Sequence, residues 1–279
     1  MAAYINDHFV ENDEATIHVS DLSIQRGYAV FDFFRTVNGI PLFPDEHLER
    51  FRNSAEALHI QLSQTRDELS VVIHKLINKS SIAEAGIRMM LTGGYSVDGY
   101  HPAEPNLIIT CNPLKTTTQA DFEKGISVIT HEHQRELPHI KSINYLTAVW
   151  MQPFLKKQHA DDILYYNKKS ISEFPRSNVF IVTEDDKLVT PAHNILYGIT
   201  RKKILSLAAD MLTVEERDIT VDDLMNATEV FTTSTTKKVL PVIKVNNKFI
   251  SGGKPGNITT DLYEKFLALE KSTTHLVSL

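Results

Sequence analysis

Apolar and polar side chains alternate along residues 8–20, with Phe9, Val10, Ala15, Ile17 and Val19 among polar neighbours. That period of two predicts a first strand or hairpin. The aromatic-rich run Gln25 to Val37 ends on Asn38-Gly39, a pair that tolerates the positive φ of a tight hairpin turn, so a second hairpin is expected there. From Pro44-Asp45 the period changes to that of a helix: Leu48, Phe51, Ala55 and Leu58 fall on one face and Arg50 on the other. Thr65 followed three residues on by Glu68 forms a capping box that starts another helix running through Leu76 and Ile77. Ile87–Leu91 and Leu107–Cys111 read as strands of one sheet.

Residues 112–121 combine proline, three threonines and few apolar side chains, which suits a linker between two domains. Beyond them Ile126–Thr130, Ile163–Tyr166, Val179–Val182, Leu188-Val189, Val230–Thr233 and Val242–Val245 are strand candidates, and Thr200–Met211 is a helix. A helix is expected after Lys141, with Leu146, Val149 and Trp150 inward and Lys156-Lys157 outward. The mixture predicts an α+β or α/β chain of two domains: 1–113, a linker at 114–122, and 123–279.

Composition narrows the function classes. A chain of 279 residues, 42% hydrophobic, is long enough to bury one large core or two smaller ones. The net charge of −6 and an isoelectric point near 6.1, without any Lys/Arg block, argue against a nucleic-acid surface. The lone Cys111 excludes an internal disulfide framework and a cysteine-rich metal site, as expected of a reducing compartment. The first residues lack an apolar leader, and no window reaches the roughly 18 apolar residues of a membrane span. A cytoplasmic protein without membrane association is therefore expected.

Four segments carry candidate chemistry. Gly198-Ile199-Thr200-Arg201 lies where a loop enters a helix, either as an ordinary threonine-bearing start or as a phosphate site built from unpaired N–H groups. The run Thr232 to Thr236 puts five hydroxyl residues at a strand end, where threonine is favoured for its β-propensity but also supplies donors to an anion. Glu173 lies between apolar strand candidates; a buried acid needs a cationic partner, for example a protonated pyridine nitrogen. Arg50 belongs either to a solvated helix face or to a site. His131-Glu132-His133 with His139 lacks a further carboxylate at fixed spacing, so no metal is expected. Gly252-Gly253-Lys254-Pro255-Gly256 lacks the spacing of a P-loop.

Taken together the motifs resemble those of the class IV pyridoxal-phosphate aminotransferases, the group of branched-chain aminotransferase, D-amino acid aminotransferase and aminodeoxychorismate lyase. The resemblance runs from about Arg26 to the carboxyl terminus. Arg26-Gly27-Tyr28-Ala29-Val30-Phe31-Asp32 is similar to the family's Gly-Asp-Gly-Val-Phe-Glu segment and leads to the helix arginine, here Arg50, that holds the cofactor phosphate. Lys141-Ser142-Ile143-Asn144 resembles the stretch with the Schiff-base lysine, which assigns Lys141 that bond and the proton transfers at the substrate Cα. Glu173 matches the acid on the pyridine nitrogen, which keeps the ring an electron acceptor; Ser177 and Asn178 end its motif. Gly198, Ile199 and Thr200 match the phosphate loop, Ser234 and Thr235 the phosphate-binding turn, and Thr236 extends that turn to the substrate carboxylate. Tyr145 stands near a family tyrosine that bonds the cofactor phenolic oxygen.

The resemblance implies the two-domain fold type IV, pyridoxal 5′-phosphate as cofactor, an amino acid and a 2-oxo acid as substrates, and a homodimer. Departures from the pattern bear on specificity. Phe174-Pro175-Arg176 replaces small residues after the acid and makes Arg176 a candidate carboxylate contact. Gly93 stands where D-amino acid enzymes carry an arginine. Arg88, in Gly86-Ile87-Arg88, and Arg35 resemble strand arginines of branched-chain enzymes and, with Phe31, are candidate substrate contacts. A lyase that eliminates pyruvate and a non-catalytic cofactor-binding relative are the alternative readings.

Overall fold

The structure, a computed structural model, describes residues 2–276, which divide into two compact units: 2–115 with 140–144 and 272–276, and 116–139 with 145–271. In the first unit the elements are β1 (Ala2–Ile5), β2 (His8–Glu11), α1 (Leu22–Arg26), β3 (Ala29–Val37), β4 (Ile40–Pro41), α2 (Pro44–Ala57), α3 (Arg66–Ser80), β5 (Ala85–Thr92) and β6 (Leu107–Pro113). The six strands form an antiparallel sheet in the order β2-β1-β6-β5-β3-β4. Its core joins Val30 and Phe34 of β3 and Ile87, Met89 and Leu91 of β5 to Leu48, Phe51 and Ala55 of α2 and Leu69, Ile73 and Leu76 of α3. Apolar burial at the helical period thus decides which face of each helix meets the sheet.

Local chemistry sets the element boundaries. Asn38 and Gly39 adopt positive φ at the β3–β4 turn, and Thr65 and Glu68 exchange both capping bonds at the start of α3. The expected strand or hairpin at residues 8–20 is displaced. Asn6 and Asp7 make the turn instead, pairing β1 with β2, and β1 in turn pairs with β6 and buries Ala2, Ala3 and Tyr4. Residues 12–20 carry no strand; the edge of the sheet is taken by β2, which ends at Glu11.

The second unit holds α4 (Gln119–Lys124), β7 (Ile126–Glu132), α5 (Leu146–Trp150), α6 (Gln152–Gln158), β8 (Asp162–Asn167), β9 (Ser170–Ile171), β10 (Glu173–Phe174), β11 (Ser177–Val182), β12 (Leu188–Thr190), α7 (Ile199–Ala209), β13 (Val214–Glu216), β14 (Ile219–Thr220), α8 (Val221–Asn226), β15 (Glu229–Ser234), β16 (Lys238–Val245) and β17 (Lys248–Phe249). The chain then enters α9 (Asn257–Leu276). A mixed sheet runs β13-β12-β11-β15-β16-β7-β8-β9-β14, with β10 on β11 and β17 on β16. Its interior strand β11 is buried along its whole length, as expected of a strand covered on both faces. Glu229 fixes the start of α9, accepting from the N–H groups of Ile258 (3.1 Å) and Thr259 (2.8 Å).

The helix after Lys141 forms, but its orientation differs from expectation. α5 buries none of its residues; Leu146, Val149 and Trp150 are 77%, 66% and 69% exposed. Among the described residues no helix is long and apolar enough to cross a membrane.

Candidate active site

In the first unit the segment Lys141–Ile143 is held as an extra extended stretch on the edge of β3. The Phe31 N–H donates to the Lys141 carbonyl (2.9 Å), the Ile143 N–H to the Ala29 carbonyl (3.2 Å), and Val30 and Ser142 form an antiparallel bridge. Ser54 of α2 accepts from the Lys141 N–H (3.2 Å), and Ile140 is buried in the core. Backbone bonds on both sides of Lys141 therefore fix its Cα, and its Nζ stands 4.6 Å from the Phe31 ring centroid.

Asp32, on the core-facing side of β3, is fully buried and grips Arg50. Arg50 donates from Nε to Oδ2 (2.8 Å) and from Nη2 to Oδ1 (2.9 Å), while His47 Nδ1–H donates to Oδ1 (2.7 Å). Burial alone raises the Asp32 carboxyl, but the Arg50 charge and the bonds from Arg50 and His47 outweigh it and hold the group well below the usual carboxylate range. Burial lowers the His47 imidazole, which favours its neutral form. Arg50 is thus no solvated helix residue: its side chain is 15% exposed, and the two bonds to Asp32 leave Nη1 for another acceptor.

The β3–β5 register assigns the remaining candidates. Val30, Asp32 and Phe34 point to the core, whereas Phe31, Phe33 and Arg35, opposite Met90, Arg88 and Gly86, point the other way. Arg35 is buried. Arg88 is exposed, with its guanidinium carbon 5.1 Å from the Phe31 centroid and 5.9 Å from that of Phe33, and it has no ion-pair or hydrogen-bond partner among the described residues. Lys141 and Arg88 therefore flank one ring. At Gly93 a Cβ would lie 2.5 Å from Tyr28 Cδ1 and 3.1 Å from Leu22 Cδ1, and Tyr28 is tied down by its hydroxyl bond to the Leu58 carbonyl. An arginine at this position is excluded by packing.

In the second unit Glu173, Ser177 and Asn178 share one hairpin: Glu173 pairs with Asn178 and Phe174 with Ser177, around the turn Pro175-Arg176. Arg176 is at the exposed tip. Glu173 is buried, its Oε1 facing Arg135 Nε and Nη2 (both 2.8 Å) and its Oε2 accepting the Leu196 N–H (3.0 Å). Arg135 is the cation that the sequence reading missed. Its signal was its place six residues before Lys141, as the sole arginine between Arg88 and Arg176.

Asn178 Nδ2 donates to the Leu196 carbonyl (2.8 Å), and a Cβ on Gly198 would fall 2.1 Å from Asn178 Oδ1. The glycine is thus needed for close packing of the loop that opens α7. Gly198 is the N-cap of α7 and gives it no side-chain cap, so the first N–H groups, including those of Ile199 and Thr200, keep their capacity for an anion. The other hydroxyl segment forms the β15–β16 turn, where the Lys237 N–H donates to Ser234 Oγ (3.1 Å) and the Thr117 N–H to the Thr236 carbonyl (3.3 Å). Thr235 lies at the tip. Lys237 pairs with Asp162 of β8 and reaches Ser177 Oγ (3.5 Å), which Thr232 Oγ1 also contacts (2.7 Å). Thr233 Oγ1 is buried with no partner among the described residues, an orphaned donor beside the turn. Tyr145 is half-buried at the start of α5.

These features fit a phosphorylated pyridine cofactor. In the second unit an open helix start and an orphaned hydroxyl suit a phosphate, and a buried carboxylate already held in hydrogen bonds suits a ring N–H; in the first unit an arginine with a spare N–H suits an anion.

Comparison with known proteins agrees. The family model for class IV aminotransferases matches residues 29–245. The chain is 30% identical to the D-alanine aminotransferase of Staphylococcus haemolyticus, over 94% of this chain and 95% of the relative. It is 28% identical to a putative branched-chain-amino-acid aminotransferase of Methanocaldococcus jannaschii, over 95% of each chain. The crystal structure of the branched-chain amino acid aminotransferase of Escherichia coli superposes with a TM-score of 0.89 at 25% identity, covering 96% of this chain and 94% of that one. Such enzymes are of fold type IV and work through pyridoxal 5′-phosphate. A match over most of the length, together with the architecture of both units, places this chain in the class IV aminotransferases, as a pyridoxal-phosphate-dependent enzyme that moves an amino group between an amino acid and a 2-oxo acid.

Proposed function

We propose that Lys141 is the catalytic residue of this aminotransferase and that one of its substrate pairs is dicarboxylic. The observation that carries the reading is the shared Phe31 ring, with Lys141 Nζ on it at 4.6 Å and the Arg88 guanidinium, unpaired among the described residues, at 5.1 Å. Lys141 acts at the carbon bearing the amino group. A guanidinium on the same ring suits a second carboxylate a few methylenes away, bound through paired N–H donors. Gly93, closed in by Tyr28 and Leu22, supplies no cation, which leaves Arg88 to do so.

Bound pyridoxal 5′-phosphate supplies the electron sink that makes the substrate α-proton acidic. Lys141 Nζ then takes that proton and returns one on the reverse half-cycle. Glu173, held by Arg135 and the Leu196 N–H, keeps a proton on the ring nitrogen. Arg50 Nη1, the N–H groups of Ile199 and Thr200 after Gly198, and the Ser234-Thr235 turn would hold the phosphate. Ser177 and Asn178 would help to hold the ring, and Tyr145 would bond the phenolic oxygen. The Thr236 N–H and the buried Arg35 serve the α-carboxylate, and Arg176 guards the entrance from its exposed turn. The exposed Leu146, Val149, Trp150 and Phe154 of α5 and α6 support a homodimer, each partner covering this apolar surface. With its one thiol buried at Cys111, the enzyme suits the cytoplasm.

The test is a matrix of amino donors, in both enantiomers, against 2-oxo acids, run for the wild type, Lys141→Ala and Arg88→Gln. Lys141→Ala is expected to lose the visible absorption of the lysine-linked cofactor and all transfer. Arg88→Gln is expected to raise KM for glutamate and 2-oxoglutarate about tenfold or more while sparing monocarboxylic donors. Equal effects on all donors would remove Arg88 from its role, and an unchanged spectrum in Lys141→Ala would remove the lysine. Light scattering on the wild type tests the dimer.

A further inference from the structure

Among the described residues Arg88 has no carboxylate to hold it, yet a guanidinium on a long flexible stem must be fixed if it is to discriminate between substrates. What surrounds it is aromatic. Phe33 lies directly opposite Arg88 in the β3–β5 register, and Phe31, two residues earlier on the same face, is the second ring in reach. The position of the Phe33 ring is itself determined by a glycine. A Cβ at Gly86, two residues before Arg88 on β5, would lie 2.6 Å from Phe33 Cζ and 2.8 Å from Cε2, both below any normal carbon contact. Gly86 has no positive φ and makes no turn. Its lack of a side chain is used for space alone, and Phe33 fills that space.

We propose that Phe33, seated over Gly86, is a positioning residue that sets substrate specificity: with Phe31 it clamps the Arg88 guanidinium as the receptor for a distal carboxylate. The inference rests on the reading of Arg88 given above, and deepens it. The two rings offer their faces to the cation, which keeps the fork of N–H donors free for the ligand. Any side chain at residue 86 pushes the Phe33 ring off its seat and with it one wall of the clamp. Phe33 need not touch the substrate; it acts through Arg88.

The experiment measures binding of two unreactive acids, glutarate and valerate, to the holoenzyme by calorimetry, for the wild type, Phe33→Ala, Gly86→Ala and Arg88→Gln. Both acids carry one carboxylate, and glutarate alone carries a second at the far end. Phe33→Ala and Gly86→Ala are each expected to weaken glutarate about tenfold, with valerate changed less than twofold. KM for glutamate should rise in parallel, with kcat for that donor largely kept. The two variants perturb the clamp from opposite strands, and the Gly86→Ala clash meets only the far end of a side chain, so at least one is expected to fold. Three results overturn the proposal: unchanged glutarate binding in the folded variants, equal losses for both acids, or a fall in kcat without a change in KM. If Arg88→Gln weakens glutarate and the other two do not, the clamp fails while Arg88 keeps its role. If Arg88→Gln also leaves glutarate unchanged, the reading of Arg88 fails first.

Discussion

Asp32→Asn is the sharpest test of how the first unit holds its site, because the change conserves volume and removes one charge. The wild-type carboxylate is fully buried and receives four donors: Arg50 Nε at 2.8 Å, Arg50 Nη2 at 2.9 Å, His47 Nδ1–H at 2.7 Å and the Phe33 N–H at 2.7 Å. Asparagine keeps one oxygen and turns an NH₂ toward groups that can only donate, so at least one guanidinium N–H loses its acceptor and the Arg50 charge loses its counterion. Breaking a buried pair from one side costs about 3–5 kcal/mol. At about 2–4 °C per kcal/mol for a chain near this size, the melting temperature is expected to fall by about 6–20 °C. A second signature comes from pH. Because the Asp32 pKa is depressed in the folded state, its stabilisation is fully present above the ordinary carboxylate pKa of about 4 and drains away as pH falls below it. The variant should lack that acid limb. Calorimetric melts between pH 3 and 8 would measure both effects. A variant that melts within about 2 °C of the wild type at neutral pH, with the same acid slope, would refute the account of Arg50 as held by Asp32.

Three other outcomes are expected. Gly198→Ala drives a methyl into Asn178 Oδ1, 2.1 Å away, and should displace the start of α7; cofactor titration followed by absorbance is expected to show affinity weaker by about tenfold, from an overpacking cost of about 1–3 kcal/mol, with partial recovery in the double variant with Asn178→Ala. Arg135→Leu removes the cation beside the buried Glu173 and should lower the melting temperature of the cofactor-free protein by about 6–20 °C, and by less once the cofactor is bound; an equal loss in both forms would show that Glu173 and the ring do not meet. Gly93→Arg collides with Tyr28 and Leu22 and should destabilise the chain by about 1–3 kcal/mol without creating activity on D-alanine; assays with both alanine enantiomers decide the point.

Much of this was legible from local pattern, and what was not shares a physical cause. The turn at Asn38-Gly39, the capping box at Thr65 and the long strands β3, β5, β6, β7, β8, β11, β15 and β16 follow from signals within a few residues, and the structure has them where the pattern put them. The lysine, acid and phosphate segments were recognisable as motifs. The partners that hold these residues were not. Asp32 lies 18 residues from Arg50, Arg135 lies 38 from Glu173, and Ser54 lies 87 from Lys141. Nothing in the local period of a sequence records such distant pairs. The apolar stripe of α5 failed for a different reason: periodicity shows that a helix has an apolar face, not what covers it. Leu146, Val149 and Trp150 satisfy the pattern and remain exposed in a single chain.

The strand β3 explains how so many roles fit in a short stretch. Its side chains alternate between two faces, so Asp32 anchors Arg50 on the core side while Phe31, Phe33 and Arg35 serve the other. A slip of one residue would exchange these sets and destroy both. Its two edges are divided as well. β5 takes one edge from Ala29 to Arg35, but β4 covers only Thr36 and Val37 on the other. The uncovered stretch from Ala29 to Phe31 is where Lys141–Ile143 pairs. Had β4 continued along β3, the lysine segment would have had no edge to bind. The shortness of a two-residue strand is therefore a condition for the position of Lys141, and the backbone bonds that exploit it fix the lysine to the same strand whose Phe31 ring lies beside its amine and the Arg88 guanidinium.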